Sequence, residues 1–82
     1  MTIFAVIADP TRRRILELLA DRERSVSELV DRFTLTQPAI SRHLRDLREA
    51  GVVAVRRDGQ RRVYSLQPEA LDEIDDWLAR LR

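Results

Sequence analysis

Thr36-Gln37-Pro38-Ala39-Ile40-Ser41-Arg42-His43-Leu44, running on into Arg45-Asp46-Leu47-Arg48-Glu49-Ala50-Gly51, is the stretch on which the fold turns. The proline two residues in looks hostile to a helix. Yet the first-turn N–H groups of a helix have no intrahelical acceptor, so a proline there gives up little. Thr36 can cap the start, and Gly51 stands where a left-handed residue ends a helix. Stepping 100° per residue places Ile40, Leu44, Leu47 and Ala50 on one side. Pro38, Arg42, Arg45 and Glu49 lie opposite, with Gln37, Ser41 and Arg48 on a flank. The outward side of the first two turns carries Gln37, Ser41, Arg42 and Arg45 and no acid. A helix that needed only solubility would mix signs throughout.

Upstream, Ser25-Val26-Ser27-Glu28 is a capping box, opening a short helix with Val26, Leu29, Val30 and Phe33 inward. Thr34-Leu35 is then a tight connection into the 37–50 helix. Further back, Asp9-Pro10 is an N-cap followed by a proline at the first helical position. Ile15, Leu18 and Leu19 form its inward stripe. Arg12, Arg13 and Arg14 sit at the end where the helix dipole disfavours cations, a local inconsistency that Glu17, Asp9 or an anion would offset. Their simplest reading is as surface residues. Thr2–Ala8 reads as a short apolar helix.

After Gly51 the period changes. Val52–Arg57 and Arg61–Leu66 are two β-prone runs around Asp58-Gly59-Gln60, a hairpin signal. Pro68 opens a last helix with Leu71, Ile74, Trp77, Leu78 and Leu81 on one stripe and Asp72, Glu73, Asp75 and Asp76 opposite. The expected architecture is one domain over residues 1–82, mainly α with a β-hairpin wing, in the order α-α-α-α-β-β-α.

At 82 residues the chain is near the lower limit for a self-sufficient core, which favours an oligomer. There is no cysteine, and the single histidine, His43, cannot cage a metal alone. No apolar run approaches a membrane span and no export signal precedes the first helix, so the expected location is cytoplasmic. The net charge of +1 conceals a polarised distribution. Residues 1–36 hold six Arg against six acids; residues 37–67 hold seven Arg against three acids, +4; residues 68–82 hold two Arg against five acids, −3.

Two helices joined by a tight turn, the second opening with Gln, Ser and Arg, make a helix-turn-helix whose second helix lies in the DNA major groove. Gln pairs with adenine, Arg with guanine, and Ser with either. The hairpin becomes a wing over about 52–66, with Arg56, Arg57, Arg61 and Arg62 along the phosphates. Arg45 makes a fifth cation, Thr36 a further phosphate contact, and binding should fall steeply with salt. On this reading Arg61→Ala lowers the salt slope by about one. The plainer alternative pairs Arg42 with Asp46 and Arg45 with Glu49 as solvated i, i+4 couples. His43, near the apolar stripe, reads as packed or capping. Ser41 and His43 point to different faces, so no nucleophile–base pair exists and an enzyme is not expected.

Ala8-Asp9-Pro10-Thr11-Arg12-Arg13-Arg14-Ile15-Leu16, Thr36–Leu44 and Leu47-Arg48-Glu49-Ala50-Gly51 together resemble the ArsR family of winged-helix repressors over almost the whole chain. The resemblance implies a transcriptional repressor of double-stranded DNA. It implies a recognition helix at about 37–50 with Gln37, Ser41 and Arg42 at the bases. It also implies a homodimer built by helices at about 2–8 and 68–82, with Ile3, Phe4, Ile7, Leu71, Ile74, Trp77, Leu78 and Leu81 at the seam. Metal-sensing relatives carry Cys-Val-Cys where this chain has Ser25-Val26-Ser27, and zinc-sensing ones carry His on the last helix. Neutral hydroxyls are poor ligands for such metals, so no metal or other cofactor is expected. The alternative function is a winged-helix module that turns the same basic face to an acidic protein partner.

Overall fold

The computed structural model describes all 82 residues, in a body of 44 × 24 × 22 Å. Helices α1 (Ile3–Val6), α2 (Pro10–Asp21), α3 (Val26–Val30) and α4 (Gln37–Glu49) precede the hairpin; α5 (Asp72–Leu81) follows it. Thr2, Asp9, Ser25 and Thr36 each cap a helix, their side-chain oxygens accepting from the amides of Ala5, Arg12, Glu28 and Ala39. Both halves of the Ser25–Glu28 box are made. Four helix starts are thus written in four local Ser/Thr/Asp signals.

The sheet departs from expectation. A two-residue strand, β1 (Arg24–Ser25), joins β2 (Val53–Asp58) and β3 (Arg61–Leu66) in an antiparallel sheet ordered β1-β3-β2. Arg24 lies opposite Tyr64 and Ser25 opposite Val63. The wing root is therefore tied to the start of α3. Within the hairpin Asp58 already pairs with Arg61, which leaves Gly59-Gln60 as the turn. Gly59 has φ +63° and no non-glycine residue has positive φ, the pattern of a type II′ turn. Gly51, at φ +78°, ends α4 as expected.

Two boundaries also differ. Helix α3 stops at Val30, and Phe33 packs half-buried from a turn tightened by Arg32 and Phe33 amides bonding three residues back. The chain after Gln67 begins as a 3₁₀ turn over Pro68–Leu71, with no side-chain cap, before α5 takes over. One core cluster joins Ile3, Val6, Ile15, Leu18, Leu19, Leu29, Ile40, Leu44, Leu47, Val52, Val53 and Tyr64. Ile3 is taken up here, 6% exposed, a correction to its expected place on an outward seam. Helix α1 is one turn long, so one of its few apolar side chains must anchor it.

Arg12 and Arg13 resolve the dipole inconsistency by reaching back to α1, and Arg14 by pairing with Glu17 at 3.2 Å. Arg12 starts in α2, but its guanidinium donates to the Val6 and Ala5 carbonyls; Arg13 donates to Ile7. Their charges sit at the carbonyl end of α1, where cations are favoured. Arg12 is not a surface residue, its side chain being 12% exposed. Arg24 does the same for α2: it is buried, with Nε 3.1 Å from the Leu18 carbonyl and Nη2 3.0 Å from Asp21.

Candidate nucleic-acid interface

Ile40, Leu44 and Leu47 are fully buried, which fixes the rotation of α4 and turns its polar flank outward. Between that flank and the wing runs a groove of about 650 Å³ lined by Gln37, Pro38, Ser41, Arg42, Arg45, Arg48, Arg62 and, at its floor, Val26 and Tyr64. No carboxylate lines it. A second hollow of about 290 Å³ continues over Ser25, Ser27, Gln37, Arg57, Gln60, Arg61 and Arg62.

The structure thus brings together Gln37, Ser41, Arg42, Arg45 and Arg62 in one cavity. Arg57 and Arg61 line the adjoining one; Thr36 caps α4 and lines neither. Arg56 lies with Arg48, Val55, Arg57 and Arg62 around a third, smaller hollow on the wing's flank. Arg48 belongs to both the groove and that flank, a role the sequence reading left out. The signal was present: Ser41, Arg45 and Arg48 recur at i, i+4 and i+7, one face of a helix.

The i, i+4 couples do not form. Asp46 faces Arg12 of α2 at 3.6 Å, and no carboxylate lies within 4.0 Å of Arg42, Arg45, Arg48, Arg57 or Arg62. The other two wing cations are held. Arg56 donates to Glu23, and Arg61 donates to Glu28 at 2.8 Å. Glu28 at the same time accepts the Ser25 amide and lies 3.5 Å from Arg22. The hydrogen bond from Arg56 holds the Glu23 carboxyl below its ordinary range. The Ser25 amide does so for Glu28, with Arg22 and Arg61 adding to it. The Asp9 carboxyl is lowered by the Arg12 amide it accepts, with the nearby His43 and Arg12 side chains adding to it.

His43 is half-buried beside α2, its Nδ1 enclosed and without a hydrogen-bond partner. It faces the body, away from the groove. Ser41 and His43 are on different faces, as expected, and form no catalytic pair.

A helix of 13 residues spans about 20 Å, and its exposed, acid-free flank beside a basic hairpin has the dimensions of a major-groove reader with a phosphate-following wing. The profile described as "Bacterial regulatory protein, arsR family" matches residues 9–55, from the α2 cap into β2. The chain belongs to the ArsR family. This member is 37% identical over 76 residues to the transcriptional repressor SdpR of Bacillus subtilis, spanning 93% of this chain and 84% of that one. It is 46% identical over 77 residues to the arsenic resistance regulator ArsR1 of Pseudomonas putida, covering 93% of this chain but only 60% of the relative. Among solved structures, a possible transcriptional regulator for arsenical resistance superposes with TM-score 0.86 at 42% identity, over 94% and 80% of the two chains. HlyU of Vibrio cholerae gives 0.80 at 37%, over 96% and 86%. This ArsR-family chain is a DNA-binding transcriptional repressor with a winged helix-turn-helix fold, and not an enzyme. No helix in it is long and apolar enough to cross a membrane.

Proposed function

We propose that this ArsR-family protein represses transcription as a homodimer on a two-fold symmetric operator, in the cytoplasm and without a metal effector. The observation that carries the DNA-binding geometry is the carboxylate-free groove between α4 and the wing. In this reading Gln37, Ser41 and Arg42 meet base edges. Thr36, Arg45, Arg57 and Arg62 meet phosphates directly; Arg56 and Arg61 join them by exchanging a carboxylate for a phosphate oxygen.

The dimer reading is supported by α5. None of its residues is buried, yet its apolar stripe includes Trp77 at 43% and Leu81 at 65% exposure. Phe4 of α1 packs edge-on against Trp77, ring centroids 5.6 Å apart, and is itself 36% exposed. The protomer's 5437 Å² of accessible surface exceeds the roughly 5,100 Å² usual for a monomer of 9.6 kDa. A second copy covering Phe4, Ile7, Leu71, Ile74, Trp77, Leu78 and Leu81 would bury that excess, with Ile3 behind the seam. Metal independence is supported by chemistry at Ser25 and Ser27. Their hydroxyls lie 3.2 Å apart, and Ser25 Oγ also accepts the Glu28 amide. Hydroxyls so engaged offer a transition metal no thiolate.

Selection of bound sequences from random duplex DNA tests the whole reading. The expected optimum has two inverted half-sites about one helical turn, or a small multiple, apart. An optimum with a single half-site would sink the dimeric part, and retention of random sequence alone would sink base recognition by α4. Added zinc, arsenite or cadmium should leave the affinity unchanged.

A further inference from the structure

Arg12 touches two helices other than its own. Its Nε and Nη2 donate to the Val6 and Ala5 carbonyls at 2.7 and 3.2 Å, at the end of α1. Its Nη1 lies 3.6 Å from Asp46 Oδ2, in the third turn of α4. The side chain is 12% exposed and that of Asp46 24%, so solvent screens this contact less than the wing pairs. The α2–α4 crossing is thus pinned by the pair of Arg12 and Asp46.

No DNA-contact reading uses these two groups, and Asp46 is the one acid of α4 turned towards the body to meet a cation. The helix at the other end of the guanidinium, α1, carries Phe4 against Trp77 of α5, the apolar face assigned above to the second copy. A planar guanidinium with five fixed donors is rigid enough to relate two elements; a lysine ammonium is not.

We propose that Arg12 is a positioning residue. It fixes the recognition helix relative to the dimer seam, and so sets the distance and angle between the two recognition helices of the dimer. The proposal rests on the homodimeric reading above. Affinity for two half-sites on one duplex depends on both fitting at once, and that gain disappears when the geometry is not held. Affinity for one half-site does not depend on it.

The test is the ratio of affinities for a duplex with two half-sites and a duplex with one, measured across spacers lengthened and shortened by single base pairs. Asp46→Asn keeps the shape of the side chain and leaves Arg12 on the α1 carbonyls. It also removes a negative charge from α4, a gain that counts once on a one-site duplex and twice on a two-site duplex, so it raises the ratio and opposes the expected fall. In Asp46→Asn and in Arg12→Lys the ratio at the optimal spacer is expected to fall by about tenfold, with a flatter dependence on spacer length. Sedimentation and thermal melting establish that each variant is dimeric and folded in the assay. If both affinities move together and the spacer profile keeps its wild-type shape, Arg12 only supports the fold and the proposal is overturned. A wild-type protein that binds one half-site as tightly as two overturns the dimeric reading itself, and the positioning role with it.

Discussion

The recognition helix and the wing carry similar numbers of arginines but hold them in opposite ways. Arg42, Arg45 and Arg48 stand on a helix seated by three fully buried side chains, and none meets a carboxylate. The wing beyond Val55 and Val63 buries nothing: residues 56–62 are all exposed, and two of their four arginines are tied to Glu23 and Glu28. One region is a rigid mount with free cations, the other a loose mount with tethered ones. Rigid placement suits base readout, where a bidentate hydrogen bond tolerates little error; a loose, partly neutralised finger suits phosphate contact, which carries no sequence information.

The largest effect should come from loosening the rigid mount. Leu44 is fully buried between α4 and the core, and Leu44→Ala should remove about 2–5 kcal/mol of folding stability. Urea unfolding followed by circular dichroism measures this. A midpoint within error of wild type would mean that α4 is held by something other than its apolar stripe. Next comes the free cation at the base edges. Arg42→Ala should weaken operator binding by about 1–3 kcal/mol while changing random-sequence binding far less. Equal losses on both DNAs would move Arg42 to the phosphates and erase the distinction from the wing.

The wing itself can be divided. Arg57 and Arg62 are unpaired, so replacing either by alanine should lower the slope of log affinity against log salt by about one. Arg56→Ala and Arg61→Ala should lower it by less, because each of these cations already has a carboxylate beside it before DNA arrives. That revises the unit change expected for Arg61 from sequence alone. Identical slopes for Arg61→Ala and Arg62→Ala would show that the pairing with Glu28 does not persist in solution.

Which parts of this could be read in the sequence follows from how far each signal reaches. The start of α4 was legible because Thr36, Pro38 and the Ile40–Leu44–Leu47 stripe all act within a few residues of one another. The capping box and the Gly59 turn were legible for the same reason. Strand β1 was not: two residues have no period, and their partners, Val63 and Tyr64, lie on the far side of α3 and α4. Arg12, Arg13 and Arg24 reach back six or seven residues to carbonyls at helix ends. Their placement depends on the turn between two helices, which helix periodicity does not describe. The Glu23–Arg56 and Glu28–Arg61 pairs join positions 33 apart in sequence. At the interface, composition therefore located the positive charge correctly, but only tertiary structure shows which of it is free.

Glu28 offers the smallest effect and the finest test of that last point, because it serves both the fold and the wing. It accepts the Ser25 amide at 3.0 Å and Arg61 at 2.8 Å through the same oxygen, Oε1. Its carboxyl titrates below its ordinary value of 4.5, first because of the Ser25 amide and then because of neighbouring charge. A carboxyl lowered in the folded state contributes stability that is present above the ordinary value and lost as pH falls through the folded one. Glu28→Gln keeps an oxygen for the Ser25 amide and removes the charge that holds Arg61. The stability difference between wild type and this variant should therefore be largest near neutral pH and shrink as pH drops below 4.5. At neutral pH the variant should bind DNA about two- to fivefold more tightly, the scale of releasing one exposed ion pair, with a steeper salt slope. Glu23→Gln, which lacks the capping role, should reproduce the gain in affinity without the change at Ser25. If Glu28→Gln is less stable but binds no tighter, Glu28 is a helix cap alone, and the wing's cations are as free as those of α4.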